Sequence, residues 1–161
     1  VKSAWADMQS AAVSAIQNPS VRKRACKCLL FFEGDYLWIR LPSGRRICYY
    51  KPWLSDGAED WMGPQINYMG RDRYTRKWSE QNTYGGSIFQ SATQGTARDI
   101  MADAILRMGG AGLDVRGTVH DEIICAGDCQ DEMEDIMSVL PEWCVGLPMA
   151  AEGFTSDYYK K

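Results

Sequence analysis

Two short apolar runs, Leu113–Val119 and Glu122–Ala126, are separated only by His120-Asp121. Few chain geometries bridge so short a gap. A tight β-hairpin does, because two-residue loops match the twist of the strands they join. Just upstream, Ile88, Ala92, Gly95, Ile100, Ala104 and Met108 recur on or near one side of a helical pattern from about residue 84 to 108. Gly109-Gly110-Ala111-Gly112 is expected to end that helix. A long helix running into a tight hairpin therefore sets the frame for residues 84–126.

The rest of the chain is read around that frame. Trp5, Met8, Ala12, Ala15 and Ile16 predict an amphipathic helix within residues 1–20, stopped at Asn18-Pro19. A short basic stretch, Arg22–Lys27, follows. Tyr36–Leu41 and Arg46–Tyr50 alternate as strands around Pro42-Ser43-Gly44, predicting a hairpin over 35–50. Residues 51–82, rich in Gly, Pro, Asp, Asn and Trp, show no period and read as an irregular excursion ending in basic Arg71–Lys77. Residues 129–161 read as an acidic helix closed by Pro141, then a tail in which Met149–Glu152 is a candidate strand.

With 161 residues and 45% hydrophobic content, the chain is one soluble domain or a piece of one. Disordered, collagen-like and coiled-coil classes are excluded, and no apolar run approaches a bilayer span of ~20 residues. No signal peptide is apparent, so a cytoplasmic location is expected. The start at Val1 suggests an excised or processed segment. Residues 1–98 hold 14 Lys/Arg against 8 Asp/Glu, and residues 99–161 hold 4 against 13. Such asymmetry suits a protein that holds a polyanion on one side and cations on the other, although two solvated faces would look the same. Six cysteines lack zinc spacing and histidine partners, and read as reduced thiols.

The one histidine stands in Val119-His120-Asp121-Glu122. Tandem carboxylates pinned by strands offer the hard oxygen donors that Mg²⁺ takes. A polar reverse turn is the plainer reading of the tetrapeptide taken alone, since aspartate favours turns. Its surroundings add to it. Gln94-Gly95-Thr96-Ala97-Arg98-Asp99 lies about 25 residues upstream, and before it stand Leu41-Pro42-Ser43-Gly44-Arg45 and Thr83-Tyr84-Gly85-Gly86.

In this order and spacing, with the closing Ala151-Glu152-Gly153, these elements resemble the C-terminal part of the palm of family A DNA polymerases, in their bacteriophage and prophage branch. The resemblance implies an α+β fold: an antiparallel sheet with a metal-bearing hairpin backed by helices. It implies template-directed DNA synthesis from deoxynucleoside triphosphates by a two-metal mechanism, in a bacterial or phage-infected cytoplasm. Asp121 matches a catalytic Mg²⁺ ligand, and Glu122 the adjacent, more peripheral acid. His120 matches a residue near the primer terminus. Gln94 matches the glutamine that meets the minor groove of the primer–template, where acceptors vary little with sequence. Gln90, one turn earlier, stands where relatives in the polymerase I branch carry asparagine. Gln90, Gln94 and Arg98 are expected to face the side of the hairpin tip; without the resemblance, the glutamines read as a solvated helix face.

Two departures matter. Ser87 replaces the lysine that commonly follows the T-Y-G-G element in phage relatives. The family's first metal aspartate and its nucleotide-gripping helix have no match in this chain. The 161-residue piece is therefore expected to need the remainder of the polymerase chain for activity. Competing readings are a non-catalytic nucleic-acid-binding module or polymerase remnant, and a small Mg²⁺-dependent phosphohydrolase that would lack further clustered carboxylates.

Overall fold

Hydrophobic alternation and a tight turn over residues 36–50 place two strands at the centre of a sheet. The computed structural model describes residues 2–56 and 64–159. Helix α1 (Lys2–Gln17) is followed by six strands: β1 (Arg22–Ala25), β2 (Cys28–Glu33), β3 (Tyr36–Arg40), β4 (Arg46–Ser55), β5 (Gln65–Arg71) and β6 (Trp78–Thr83). Each pairs antiparallel with the next, in sequence order. Helix α2 (Gly85–Ala111), hairpin strands β7 (Asp114–Val119) and β8 (Glu122–Ala126), helix α3 (Gln130–Ser138) and a short 3₁₀ turn (Glu142–Cys144) complete the described elements. The α+β class and the antiparallel sheet are as expected. The chain divides into two units, residues 1–95 and 96–161, and α2 runs through the boundary.

In the first unit, strand alternation sends Leu30, Leu37, Ile39 and Tyr49 to one face of the sheet. There they meet Met8, Ala12 and Ala15 of α1 and Ile88 and Ala92 of α2. The small alanines let the helix backbone approach the strands closely. Trp5, placed on the apolar side of α1 by its spacing, is 40% exposed.

Residues 51–82 are not one irregular excursion. Strand β4 continues to Ser55, and β5 and β6 extend the sheet; residues 57–63 of that reading lie outside the described residues. The half-buried or buried positions of β6 are Ser79, Gln81 and Thr83, so the period is present in burial but is filled by polar side chains. Buried Asn67 of β5 donates to Ser55 Oγ at 2.8 Å, which satisfies an amide where an apolar residue would have signalled a strand. The basic stretch after it is the β5–β6 turn. Asp72 Oδ1 accepts from the Tyr74 and Thr75 backbone N–H groups and from Thr75 Oγ1. The Thr75 backbone bond is the leading cause that holds the Asp72 carboxyl below its ordinary range.

Strands β1 and β2 carried no turn signal because Cys26 and Lys27 make the connection. Both adopt left-handed backbone, at φ 48° and 63°. Asparagine and glycine are the usual occupants of such a turn. All six cysteines are free thiols; burial raises the Cys28 thiol to about 11, which leaves it protonated and unreactive.

Candidate active site on the β7–β8 hairpin

The hairpin forms as the spacing predicts. Val119 pairs with Glu122, Thr118 with Ile123 and Gly117 with Ile124, leaving His120 and Asp121 as the loop. A register shift between Val115 and Gly117 adds Arg116 to β7 as a bulge, where it pairs with Asp114. His120 takes the left-handed conformation, φ 54°, that a two-residue hairpin requires at its first position. Histidine tolerates that region better than most side chains. Asp121 is exposed, and Glu122 is half-buried as the first residue of β8. One carboxylate thus stands in water while its neighbour is held by a strand.

Glu122 has a partner from far along the chain. Tyr159 Oη donates to Glu122 Oε2 at 2.8 Å. This bond favours the protonated phenol and, as the main cause, raises the Tyr159 pKa above the usual tyrosine range. The tail reaches the hairpin by a second anchorage. Gly153 N–H donates to Glu134 Oε1 at 2.9 Å, and Gln130 Nε2 donates to Gly153 O at 3.0 Å. Met149–Glu152 is therefore not a strand: side chains of α3, rather than a neighbouring strand, hold the tail beside it.

Arg107 closes the other end of α3. Its guanidinium is bound to Asp103 Oδ2 at 2.8 Å and donates to the backbone oxygens of Ile136 at 2.5 Å and Val139 at 2.7 Å. Carbonyls at a helix C-terminus lack intrahelical partners, and a cation there also meets the negative end of the helix dipole. Sequence reasoning missed Tyr159, Gln130, Glu134 and Arg107 because their partners lie at no fixed chain separation.

Along 98% of its length the chain aligns, at 35% identity over 162 residues, with the DNA polymerase of Bacillus phage SP02. That stretch occupies 24% of the phage protein. The similarity supports a DNA polymerase fragment. No family model matches the chain, and no solved structure does.

The polymerase-like motifs acquire physical reasons in the structure. In Tyr84-Gly85-Gly86, a Cβ on Gly85 would lie 2.0 Å from the Trp5 carbonyl oxygen, so only glycine lets α2 start against α1. Gly85 N–H donates to Gln9 Oε1 at 2.7 Å, and Gln9 Nε2 donates to Pro64 O at 3.0 Å, fastening that start. The L-P-S-G-R and Q-G-T-A-R-D elements meet at one joint. Arg45 donates to Gly95 O at 2.8 Å, and a Cβ on Gly95 would lie 2.8 Å from Leu41 Cδ1.

Gln90 and Gln94 are exposed on α2, as is Arg98. Both glutamines belong to the first unit, while His120, Asp121 and Glu122 belong to the second. Helix α2 continues through Gly109-Gly110-Ala111 and ends at Gly112, whose φ is 88°. Ile88, Ala92, Ile100, Ala104 and Met108 are all buried, as their spacing predicts.

The donor chemistry at the tip suits a hard cation but does not complete a site. Asp121 and Glu122 supply two carboxylates, and among the described residues no three His, Cys, Asp or Glu side chains cluster to hold a metal. Mg²⁺ is commonly held by one or two carboxylates plus substrate phosphates and water, so the pair fits one side of such a centre. No described helix is long and apolar enough to cross a membrane.

Proposed function

We propose that this chain is the C-terminal palm portion of a family A DNA polymerase, and that the β7–β8 hairpin is its metal-bearing element. The observation that carries the reading is the 35% identity to a phage DNA polymerase along 98% of the chain. An exposed aspartate at a strand-braced tip supports it.

In this reading Asp121 and Glu122 hold Mg²⁺ jointly with an aspartate from the remainder of the polymerase chain. Mg²⁺ supplies activation of the primer 3′-hydroxyl and charge stabilisation at the α-phosphate of the incoming deoxynucleoside triphosphate. Asp121, unencumbered by strand packing, is the principal ligand. Glu122 has one oxygen occupied by Tyr159 and serves as the more distant acid. His120, fixed by its turn conformation, is placed to contact the primer terminus. Gln90 and Gln94 present amides to the minor groove of the primer–template, one helical turn apart. Ser87 leaves that helix face one cation poorer than in the related phage sequences.

The test is reassembly. The 161-residue chain alone is expected not to extend a primer, and the chain joined to the remainder of the polymerase is expected to do so. In the joined protein Asp121→Asn should reduce synthesis by at least ~100-fold, more than the ~10–100-fold that losing an outer-shell partner of a metal site costs, with DNA binding largely kept. Full activity of that variant would remove Asp121 from the metal site. Extension by the isolated chain would show that no further carboxylate strand is needed.

A further inference from the structure

The cationic side chains of the first unit are gathered on one face of its sheet. Directly paired residues of antiparallel strands share a face, so the register sorts the surface opposite Leu37 and Ile39. Arg24 neighbours Leu29, Leu29 neighbours Arg40, and Arg40 neighbours Arg46, so three arginines share one cross-strand row. The next row passes through Arg22, Phe31 and Trp38, and the one after it joins Tyr36, Tyr50 and Met69. Arg71 and its partner Trp78 follow on the same side.

The rings form a continuous ribbon. Trp38 and Tyr36 lie 5.3 Å apart between centroids, Tyr36 and Tyr50 5.1 Å, and Tyr50 and Trp78 6.0 Å. All three pairs are tilted rather than stacked, so the rings do not consume one another's faces. Arg22 and Arg46 lie over the Phe31 ring at 4.8 and 5.5 Å, which fixes their guanidinium planes against the sheet. Between the rings is a recess of about 440 Å³, lined by Tyr36, Tyr50, Tyr68, Met69 and Trp78 among others. Trp78 is 61% exposed, and Tyr74 in the adjoining β5–β6 turn is 90% exposed.

Five arginines interleaved with a ribbon of aromatic rings match an unpaired nucleic-acid strand. Every base has a π-face to stack, and the phosphates need cations at its flanks. Two glutamates share the face, Glu33 and Glu80, and Glu33 is already paired with Arg46 at 3.5 Å. A duplex hides its base faces and would reach only the arginines.

We infer that this sheet face binds single-stranded nucleic acid, with bases stacking on Trp78, Tyr50 and Tyr36 and phosphates carried by the flanking arginines. The site lies wholly within the first unit and does not depend on the polymerase reading of the hairpin.

The experiment titrates the 161-residue chain into a fluorescein-labelled oligo-dT of about twelve nucleotides, a length within the range of known single-strand sites. Anisotropy and tryptophan quenching are read together. The single strand should bind at least ~10-fold tighter than a duplex of equal length. Trp78→Ala should weaken binding by roughly 5- to 100-fold, and Trp78→Phe should restore most of it. Replacing both Arg24 and Arg40 by alanine should lower the slope of log K against log salt by about 1.4. Circular dichroism confirms the fold of each variant. Equal affinity for duplex and single strand would overturn the proposal, as would an unchanged affinity in folded Trp78→Ala, or self-association of the chain that blocks the oligomer. Asp121→Asn should leave this binding intact, so a failure of the catalytic reading and a failure of this one give different results.

Discussion

The sheet of the first unit and the hairpin–α3 part of the second differ in how far they rely on burial. The first places Met8, Leu30, Leu37, Ile39 and Ile66 out of contact with solvent, between helices and a wide sheet. The second has no buried residue in α3, and its hairpin strands are at most half-buried. The buried Ile100, Ala104 and Met108 of that unit lie in α2; α3, the hairpin and the tail are held by directed polar contacts: Arg107 on two carbonyls, Gln130 and Glu134 on Gly153, Tyr159 on Glu122. The comparison teaches that position and stability are supplied separately. A sheet with a sealed core tolerates an exposed working face, while an acidic tip needs geometry more than burial.

Core truncation is the most damaging way to break the comparison. Leu37→Ala should cost about 2–5 kcal/mol in urea unfolding, because Leu37 is fully buried. Ile123→Ala in the half-buried hairpin should cost less than about 2 kcal/mol. Equal losses would mean that the hairpin depends on apolar burial as much as the sheet does. Next is Gly85→Ala, where the added methyl meets backbone rather than a pliable side chain. A loss of about 3 kcal/mol is expected, at the upper end for overpacking, read as a lower denaturation midpoint.

Arg107→Ala tests whether polar contacts carry the second unit. It strips partners from the carbonyls of Ile136 and Val139, and about 1–3 kcal/mol should be lost. Hydrogen exchange should quicken in α3 while the core strands of the first unit keep their protection. Arg107→Lys should recover only part of the loss, since an ammonium cannot span both carbonyls as a planar fork does. The smallest expected effect has the opposite sign. Changing Cys26-Lys27 to Asn-Gly should raise stability by about 1 kcal/mol, because the left-handed turn then has residues that accept it. A thermal melt suffices to check it.

The sequence was legible where chain distance leaves few choices. Two residues between apolar runs permit a hairpin and little else, so the tip at His120-Asp121 could be placed without coordinates. Burial along α2 followed from spacing for the same reason. Strands β1, β2, β5 and β6 were opaque because their signals are carried by atypical residues: Cys26-Lys27 at a turn, and Ser79, Gln81 and Thr83 at inward positions. At the candidate site the carboxylates were readable, but Tyr159 was not. It lies 37 residues from Glu122, in a polar tail whose path depends on Gly153 being caught by α3.

The joint between the β3–β4 turn and Gly95 has a consequence for how such a chain can change over time. Leu41 and Arg45 lie some fifty positions from Gly95, yet the packing makes them neighbours. A side chain at position 95 would need a shorter one at 41, and a loss at 45 would leave the Gly95 carbonyl without its guanidinium. The two stretches can therefore diverge only in step. Lineages that part at one should carry a matching change at the other, and a segment transplanted from a relative should be taken with both halves or not at all.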